Sequence, residues 1–417
     1  MKLASAVWRA IPVPRSWRTA AGVAMIAAVN AGLLGPRAAR TPVAPLSDVK
    51  PGPLVLSGFL NTSLGIGSGG RSTAIALRAA GLSPHLHDVA PILALRIDRV
   101  APRPGPPGGV WIAHCNPPEF LRLLAALPPD ALDGRYRIGF WAWELPRLPA
   151  RWARVADRFN EVWAPTRFVA DAIADAVRGR PNAPIVRVVP HPLPDLTEIR
   201  PNRERFGLPA DAVVVLVMFD MRSSRARKNP DAAVEAFVRA FPTPRPDRIL
   251  VCKVIGREAS PEDWAALTRR FAGRPDVIWL DAELSSLDTL SLIASADIVL
   301  STHRAEGYGL VLAEAMALER CVIATGWSGN LDFMSADNSM LLPYSLIPVV
   351  DPQGIYPGGQ SWADVDIDAT AALIREAAAD PARRKALGAR ARDDILLHDQ
   401  RFAQNLTQAP WLSKIVE

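Results

Sequence analysis

The chain has 417 residues, of which 49% are hydrophobic and 22% charged, a balance typical of a globular protein with two or three domains. The net charge is +6 and the pI about 9.5, but the arginines are scattered and form no long basic run, which argues against a nucleic-acid-binding protein. The three cysteines lie far apart without a CxxC pair, and this spacing excludes a disulfide framework and a zinc motif.

The N-terminal extension, residues 1–50, differs from the rest of the chain. Its apolar stretch, 19–35, is flanked by arginines and is shorter than the roughly 20 residues that a bilayer span needs. Three interpretations stay open. The extension is a helical segment packed on the main body, an interfacial amphipathic anchor that gives the protein a peripheral membrane contact, or a signal peptide.

From residue 53 onward, short apolar segments alternate with helical ones. This alternation predicts parallel α/β units, with a first domain over residues 51–200. The strands predicted in this domain cover residues 53–59, 109–115, 136–144, 161–166 and 185–191.

A proline-rich linker, 192–211, separates this half from a second α/β domain over residues 201–390. Continuous Val/Ile/Leu runs there predict strands covered on both faces. Residues 391–417 are predicted to be a helical segment that crosses back to the first domain. The fold class is therefore α/β, with two Rossmann-like domains facing a cleft where ligands bind beyond the strand ends. The strands predicted in the second domain cover residues 212–219, 248–256, 276–280, 296–301 and 321–325.

The stretch 301–330 carries two carboxylates around a glycine turn, where a helix begins. Gly307 and Gly309 allow a ligand to approach the backbone, and the helix start offers free N–H groups to a phosphate. Glu314 lies in apolar sequence and needs a partner, which a pair of ribose hydroxyls supplies. Glu306 would face the transferred group. Spacing alone is equally compatible with a structural pair of acids.

Four segments in order resemble a known family. "EGYGLVLAEAMA" resembles the E-x7-E motif of glycosyltransferase family 4, or group 1, and 219–241 is similar to its phosphate-binding segment. "GFWAWELPRLP…EVWAPTRFVADAI" resembles the middle of its first domain. "SLGIGSGGRSTAIALRAAG" resembles its first glycine-rich loop, so the resemblance covers about residues 53–410.

The resemblance implies a GT-B fold and a retaining hexosyltransferase that uses a UDP- or GDP-sugar, needs no metal or other cofactor and acts in the cytoplasm on a glycan or lipid-linked acceptor. Glu306 and His114 are the expected catalytic residues, although a lone histidine at a strand end is more often structural. The expected donor-binding residues are Arg227, Lys228, Lys253, His303, Gly307, Tyr308, Gly309, Leu310, Glu314 and Gly67. The loop 326–330 is expected to line the pocket for the donor sugar.

Some assignments stay open at this stage. The family commonly has an arginine five residues before the lysine, where this chain has Ser223, so either Arg222 or Arg227 contacts the diphosphate. The motif "DVDID" (364–368) resembles a metal-binding DxD, but helix capping by Asp368 explains it better.

A non-catalytic nucleotide-sugar or glycan-binding protein is the alternative function. A nicotinamide enzyme is disfavoured because no acidic ribose reader follows the glycine-rich loop.

Overall fold

The computed structural model describes residues 42–62, 64–91, 104–128 and 130–416. Most of the N-terminal extension lies outside these ranges, and its three interpretations stay predictions. Among the described residues, no helix combines the length and apolarity that a membrane crossing needs.

Six parallel strands form the first sheet: β1 Leu54–Gly58, β2 His85–Asp88, β3 Val110–His114, β4 Tyr136–Phe140, β5 Glu161–Ala164 and β6 Ile185–Val188. Their order across the sheet is β2-β1-β3-β4-β5-β6. The central strands β1, β3, β4 and β5 are fully buried, as their apolar runs predict, whereas β2 and β6 lie at the edges and are partly exposed. Strand β2 was not predicted from the sequence, because its residues, HLHD, form no apolar run.

Six further parallel strands form the second sheet: β7 Val213–Asp220, β8 Arg248–Ile255, β9 Val277–Asp281, β10 Ile298–Ser301, β11 Cys321–Thr325 and β12 Met340–Leu342. The order β12-β11-β10-β7-β8-β9, read from β9, is the Rossmann order 3-2-1-4-5-6. The prediction of two Rossmann-like, doubly wound domains is therefore confirmed.

Helices cover both faces of each sheet and bury its apolar side chains. Asn229 lies at the N-cap of the helix Pro230–Ala240 with φ 49°, and its side chain makes no capping hydrogen bond. The helices of the first domain include α1 Gly65–Ala79, α2 Pro117–Ala126, α3 Ala150–Ala156 and α4 Arg167–Val177. Those of the second include α5 Arg225–Lys228, α6 Pro230–Ala240, α7 Pro261–Arg270, α8 Ser286–Ser295, α9 Leu310–Ala317, α10 Ile367–Ala379 and α11 Pro381–Thr407.

An antiparallel hairpin, β13 Tyr344–Pro348 and β14 Ser361–Val365, follows the second sheet. The hairpin loop, residues 349–360, connects its strands. The cap of the next helix is Asp366, whose Oδ1 accepts from Ala369 N at 2.9 Å. The capping role predicted for Asp368 is wrong, because this exposed residue pairs with Arg239 instead.

The C-terminal helix α11 packs on both domains. Ala391 and Ile395 belong to the core of the second domain, whereas Phe402 packs with its ring centroid 6.2 Å from that of Trp163 in the first domain. The helix runs unbroken through residue 390, where the sequence analysis places a domain boundary. Helix α11 therefore connects the first domain to the second through its packing contacts.

Candidate active site

A cavity of about 550 Å³ lies between the two domains, at the carboxyl ends of their strands. In each sheet this is the point where strand order reverses, between β1 and β3 and between β7 and β10, so that loops diverge and leave a crevice. Lining residues from the first domain include Arg71, His114, Asn116, Glu119, Glu144 and His191. Those from the second domain include Ser223, Arg227, Lys228, Lys253, Glu306, Gly307, Tyr308, Gly309, Leu310 and Glu314.

The glycine turn from β10 to α9 is closely packed against both domains. Gly309 has φ +100° at the N-cap of α9, a conformation that favours glycine, and no side chain caps the first turn of this helix. A Cβ at Gly307 would lie 2.9 Å from the carbonyl oxygen of Trp143. Thr166 Oγ1 donates to Gly307 O at 2.8 Å. The free N–H groups at the helix start are therefore held at the cleft by contacts with the first domain.

Glu306 is a buried carboxylate with two cationic partners. Its Oε1 accepts a hydrogen bond from Lys228 Nζ and lies 3.2 Å from Arg227 Nη1. Burial alone would raise the pKa of the Glu306 carboxyl, but the charges of Lys228 and Arg227 outweigh burial and hold this pKa at about 2. Glu306 is therefore an anion at neutral pH and cannot serve there as a proton donor.

Glu314 lies further along α9 and is as buried as Glu306, with 7% of its surface exposed. Within the part of the chain that the structure describes, neither a hydrogen bond nor an ion pair reaches its carboxylate. Burial raises the pKa of the Glu314 carboxyl to about 7, although the charge of Arg71 acts in the opposite direction. A buried carboxylate without a partner is a ready acceptor for ligand hydroxyls.

The basic residues of the second domain divide into those at the cavity and those away from it. Arg227 lies at the cavity, where its Nη1 and Nη2 donate to Ala305 O at 2.8 Å and Ser223 Oγ at 2.7 Å. Arg222 is instead held by Asp220, with Nε to Oδ1 at 2.9 Å. Arg227 is therefore among the described residues that line the cavity, whereas Arg222 is not. We call residues 223–228, which include Lys228, the cationic turn.

Lys253 extends from β8 to the same cavity and is 5% exposed. Burial lowers the pKa of its ammonium group, and the carboxylates of Asp220, Glu283 and Asp281 act in the opposite direction. This lysine therefore adds a third cationic side chain to the wall formed by the second domain.

Two histidines of the first domain face the cavity. His114 and His191 lie with their ring centroids 5.4 Å apart, and both His114 nitrogens and Nδ1 of His191 have no hydrogen-bond partner among the described residues. Burial lowers the pKa of His114 to about 4 and that of His191 well below its ordinary value. Both imidazoles are therefore neutral at pH 7 and can exchange hydrogen bonds with a ligand but supply no positive charge.

Some predicted site residues lie behind the cavity wall. His303 is fully buried and contacts Asn330, with Nε2 3.2 Å from Oδ1. Gly67 is a packing residue, because a Cβ there would lie 2.5 Å from Phe59 O. The loop 326–330 supports the glycine turn, with Ser328 Oγ accepting from Glu306 N at 2.9 Å. The described lining of the cavity therefore does not include His303, Gly67 or this loop, and their roles in donor binding stay predictions.

Several lining residues were not predicted from the sequence. His191 follows β6 and ends the predicted strand 185–191, and no motif marks it. Arg71 lies in α1, where its Nη1 donates to Thr62 O at 2.7 Å and its charge reaches Glu314 across the cleft. Arg71 and His191 belong to the first domain, whereas Glu306 and Glu314 belong to the second. Their place at the same cavity therefore becomes visible only when the two domains are packed together.

Fold and site together define a two-domain protein of the GT-B architecture, with a cavity suited to an anionic ligand that carries hydroxyl groups. Residues 222–354 match a family model described as glycosyl transferases group 1. Among curated proteins, no sequence matches this chain. The family match and the fold support a glycosyltransferase.

Solved structures share this fold at low sequence identity. A glycosyltransferase from Rickettsia africae has a TM-score of 0.62 and 13% identity over 87% of this chain and 98% of its own. Anabaena HepE in complex with UDP and glucose has a TM-score of 0.57 and 15% identity over 85% and 99%. An S. aureus TarM variant in complex with fondaparinux, alpha-GlcNAc-glycerol and UDP has a TM-score of 0.51 and 15% identity over 72% of this chain, which spans 55% of TarM.

Proposed function

We propose that this protein is a retaining glycosyltransferase that moves a hexose from a UDP- or GDP-sugar to a glycan or lipid-linked acceptor. The observation that carries the proposal is the arrangement of charge on one cavity wall. Glu306 is paired with two cations, whereas Glu314 on the adjoining helix has no hydrogen-bond or ion-pair partner among the residues that the structure describes. A nucleotide sugar fits this pattern, because it combines a diphosphate, a ribose diol and a sugar.

The proposed role of the cationic turn is to stabilise the leaving group. Breaking the glycosidic bond of the donor leaves a nucleoside diphosphate that gains negative charge, and groups already oriented toward it lower the barrier. Lys228, Arg227 and the free N–H groups at the start of α9 lie on the same wall. Protein groups can therefore supply this stabilisation without a step through a metal ion.

The proposed role of Glu314 is to accept hydrogen bonds from the ribose hydroxyls, which would offset the cost of burying its charge. Glu306 would keep the cations in position and accept hydrogen bonds from hydroxyls of the transferred sugar. The resemblance to family 4 supports retention of configuration, and this stereochemistry belongs to the proposal. His114 would contact the sugar as a neutral imidazole.

The acceptor is proposed to enter along the first domain, where Asn116, Glu119 and Glu144 line the cavity. Carboxylate and amide oxygens accept hydrogen bonds from sugar hydroxyls, which agrees with a glycan acceptor. The ligands in the HepE and TarM structures, UDP with glucose and UDP with alpha-GlcNAc-glycerol, support a donor and acceptor of this chemistry. A cytoplasmic location and a membrane contact through residues 1–50 stay predictions.

The test is a panel of UDP- and GDP-hexoses, measured first by thermal unfolding of the purified protein and then by transfer to glycan acceptors. We expect one nucleotide sugar to raise the melting temperature and NAD to have no effect. NMR of the product should show the anomeric configuration of the donor. Binding without hydrolysis or transfer would favour the non-catalytic alternative, and an inverted product would exclude retention.

A further inference from the structure

The hairpin loop holds the cationic turn from one side. Its Asp351 Oδ1 accepts from Ser224 Oγ at 2.8 Å, and its Gln353 Oε1 accepts from Arg225 N at 2.6 Å. Ser224 is fully buried and has φ 49°, a backbone conformation that a non-glycine residue rarely adopts. Contacts from the hairpin loop therefore help to fix the conformation in which this turn presents its cations.

The same loop contacts the first domain. Tyr356 donates its hydroxyl hydrogen to Glu144 Oε2 at 2.9 Å, and its ring centroid lies 5.7 Å from that of Trp143. Gln360 bonds both backbone groups of Arg147, accepting from its N at 2.7 Å and donating to its O at 3.1 Å. The hairpin loop thus joins the cationic turn to the segment that follows β4, across the side of the cleft.

Tyr356 lies between an acid of one domain and a cation of the other. Arg227 Cζ lies 5.7 Å from the centroid of the Tyr356 ring, a distance suited to a cation–π contact. The charge of Glu144 acts on both Arg227 and Lys228. Glu144 therefore competes electrostatically with any anion that these two cations bind.

The Tyr356 hydroxyl is well placed to restrain this carboxylate. Burial raises the pKa of the hydroxyl well above its ordinary value, so the group remains a hydrogen-bond donor throughout the physiological range. Its bond fixes one oxygen of Glu144 at the hairpin loop. Without this bond the carboxylate could turn toward the cations, because no other hydrogen bond or ion pair from the described residues holds it.

We infer that Tyr356 is a positioning residue of the donor site, whose hydroxyl holds the Glu144 carboxylate away from Arg227 and Lys228, so that no second carboxylate besides Glu306 competes with a diphosphate for these two cations. This inference rests on the proposed function, because it concerns the same diphosphate site. The match to the group 1 family ends at residue 354. Tyr356 and strand β14 lie beyond the matched segment, so the family comparison does not assign them this role.

The test is the affinity for UDP and GDP, measured by isothermal titration calorimetry on the whole chain. The better ligand is then titrated into Tyr356→Phe, Glu144→Gln and the double variant. Tyr356→Phe keeps the ring but frees the carboxylate, and we expect it to weaken binding by about five- to tenfold, because the released carboxylate competes with the diphosphate for the cations. Glu144→Gln cannot compete as an anion and should bind at least as tightly as the wild type.

The double variant is the decisive measurement, because loss of the charge should make loss of the hydroxyl harmless. We expect it to bind within about twofold of Glu144→Gln, which is non-additive behaviour for residues in contact. Tyr344→Phe is the matched control, since Tyr344 is 39% exposed on β13 of the same hairpin, and its affinity should equal that of the wild type. Circular dichroism melting curves report whether each variant is folded.

Two results would overturn the inference while the proposed function stands: wild-type affinity in Tyr356→Phe, or a double variant as weak as Tyr356→Phe. Weaker binding by Glu144→Gln alone would also reject it, even if Tyr356→Phe failed to fold. If the wild-type protein binds neither UDP nor GDP, the proposed function itself fails, and the inference fails with it.

Discussion

The turn around Glu306 and the helix that carries Glu314 place two acids eight residues apart in opposite electrostatic surroundings. Both carboxylates are almost fully buried. The cations Lys228 and Arg227 lower the pKa of the first to about 2, whereas burial raises the pKa of the second, which has no ion-pair partner among the described residues, to about 7. The contrast teaches that the spacing of a motif fixes where its acids lie, while neighbours from other segments decide their charge.

The two acids also contribute to the stability of the fold with opposite signs. For Glu306, the folded-state pKa lies below the unfolded value, so its ion pairs stabilise the protein above about pH 4.5 and this contribution is lost as the pH falls toward 2. For Glu314, the folded-state pKa lies above the unfolded value, so stability is lost as the pH rises from about 4.5 through 7. Glu314 thus resembles a site that gives up stability for function.

The largest effect is expected from removing the main cation beside Glu306. Lys228→Ala should lower kcat/KM for transfer by about 10²- to 10³-fold, because the leaving diphosphate loses an oriented charge. The measurement is initial rate against donor concentration. Lys385→Ala, at an exposed lysine of α11, is the control and should behave as wild type. Equal rates in Lys228→Ala and Lys385→Ala would show that Lys228 does not stabilise the leaving diphosphate.

Glu306→Gln tests the ion-paired side of the comparison. The change leaves Lys228 and Arg227 without their carboxylate, and we expect a loss of about 3 kcal/mol in the free energy of unfolding at pH 8. Turnover should fall more than donor binding. Urea unfolding and steady-state kinetics measure the two quantities, with Glu376→Gln, which removes an exposed ion pair with Arg383, as the control. An unchanged unfolding free energy would contradict the assigned ion pairs.

Glu314→Gln tests the role of the buried Glu314 carboxylate. It should stabilise the protein, whereas Glu306→Gln should destabilise it. Because it removes a buried charge, the donor-free protein should gain up to about 3 kcal/mol at pH 8, and the gain should disappear toward pH 4. Donor KM should rise about tenfold as hydrogen bonds to a charged group become weaker. A shift of the unfolding free energy in the same direction by Glu306→Gln and Glu314→Gln would contradict the opposite electrostatic surroundings assigned to the two acids.

The smallest effect is the pH dependence of donor binding. Since the Glu314 carboxyl titrates near pH 7 and its anion is the better acceptor for ribose hydroxyls, donor KM should rise by up to about tenfold from pH 8 to pH 6. The measurement is donor KM across this interval at constant ionic strength. The dependence should flatten in Glu314→Gln. A dependence that persists in that variant would assign the titration to another group.

The sequence allowed the fold to be predicted where its pattern was strong. Apolar runs identified the central strands of both sheets, because a strand covered on both faces needs such a run. Strands β2 and β13 escaped prediction, since largely exposed strands carry no comparable pattern. Strand β14 is mostly buried, but its five residues, SWADV, form no apolar run. Glu306, Lys228 and Arg227 were all named from the sequence, and the structure brings them into contact.

The sequence by itself determined the order of strands and helices, the glycine turn and the eight-residue interval between the acids, because these depend on neighbouring residues along the chain. Only the tertiary structure decided that Glu306 is paired while Glu314 lacks a partner in the described part of the chain, that His191 faces the cavity and that Tyr356 joins Glu144 to the cationic turn. These contacts connect residues far apart in sequence, and the energy of a buried charge depends on what the whole fold packs around it.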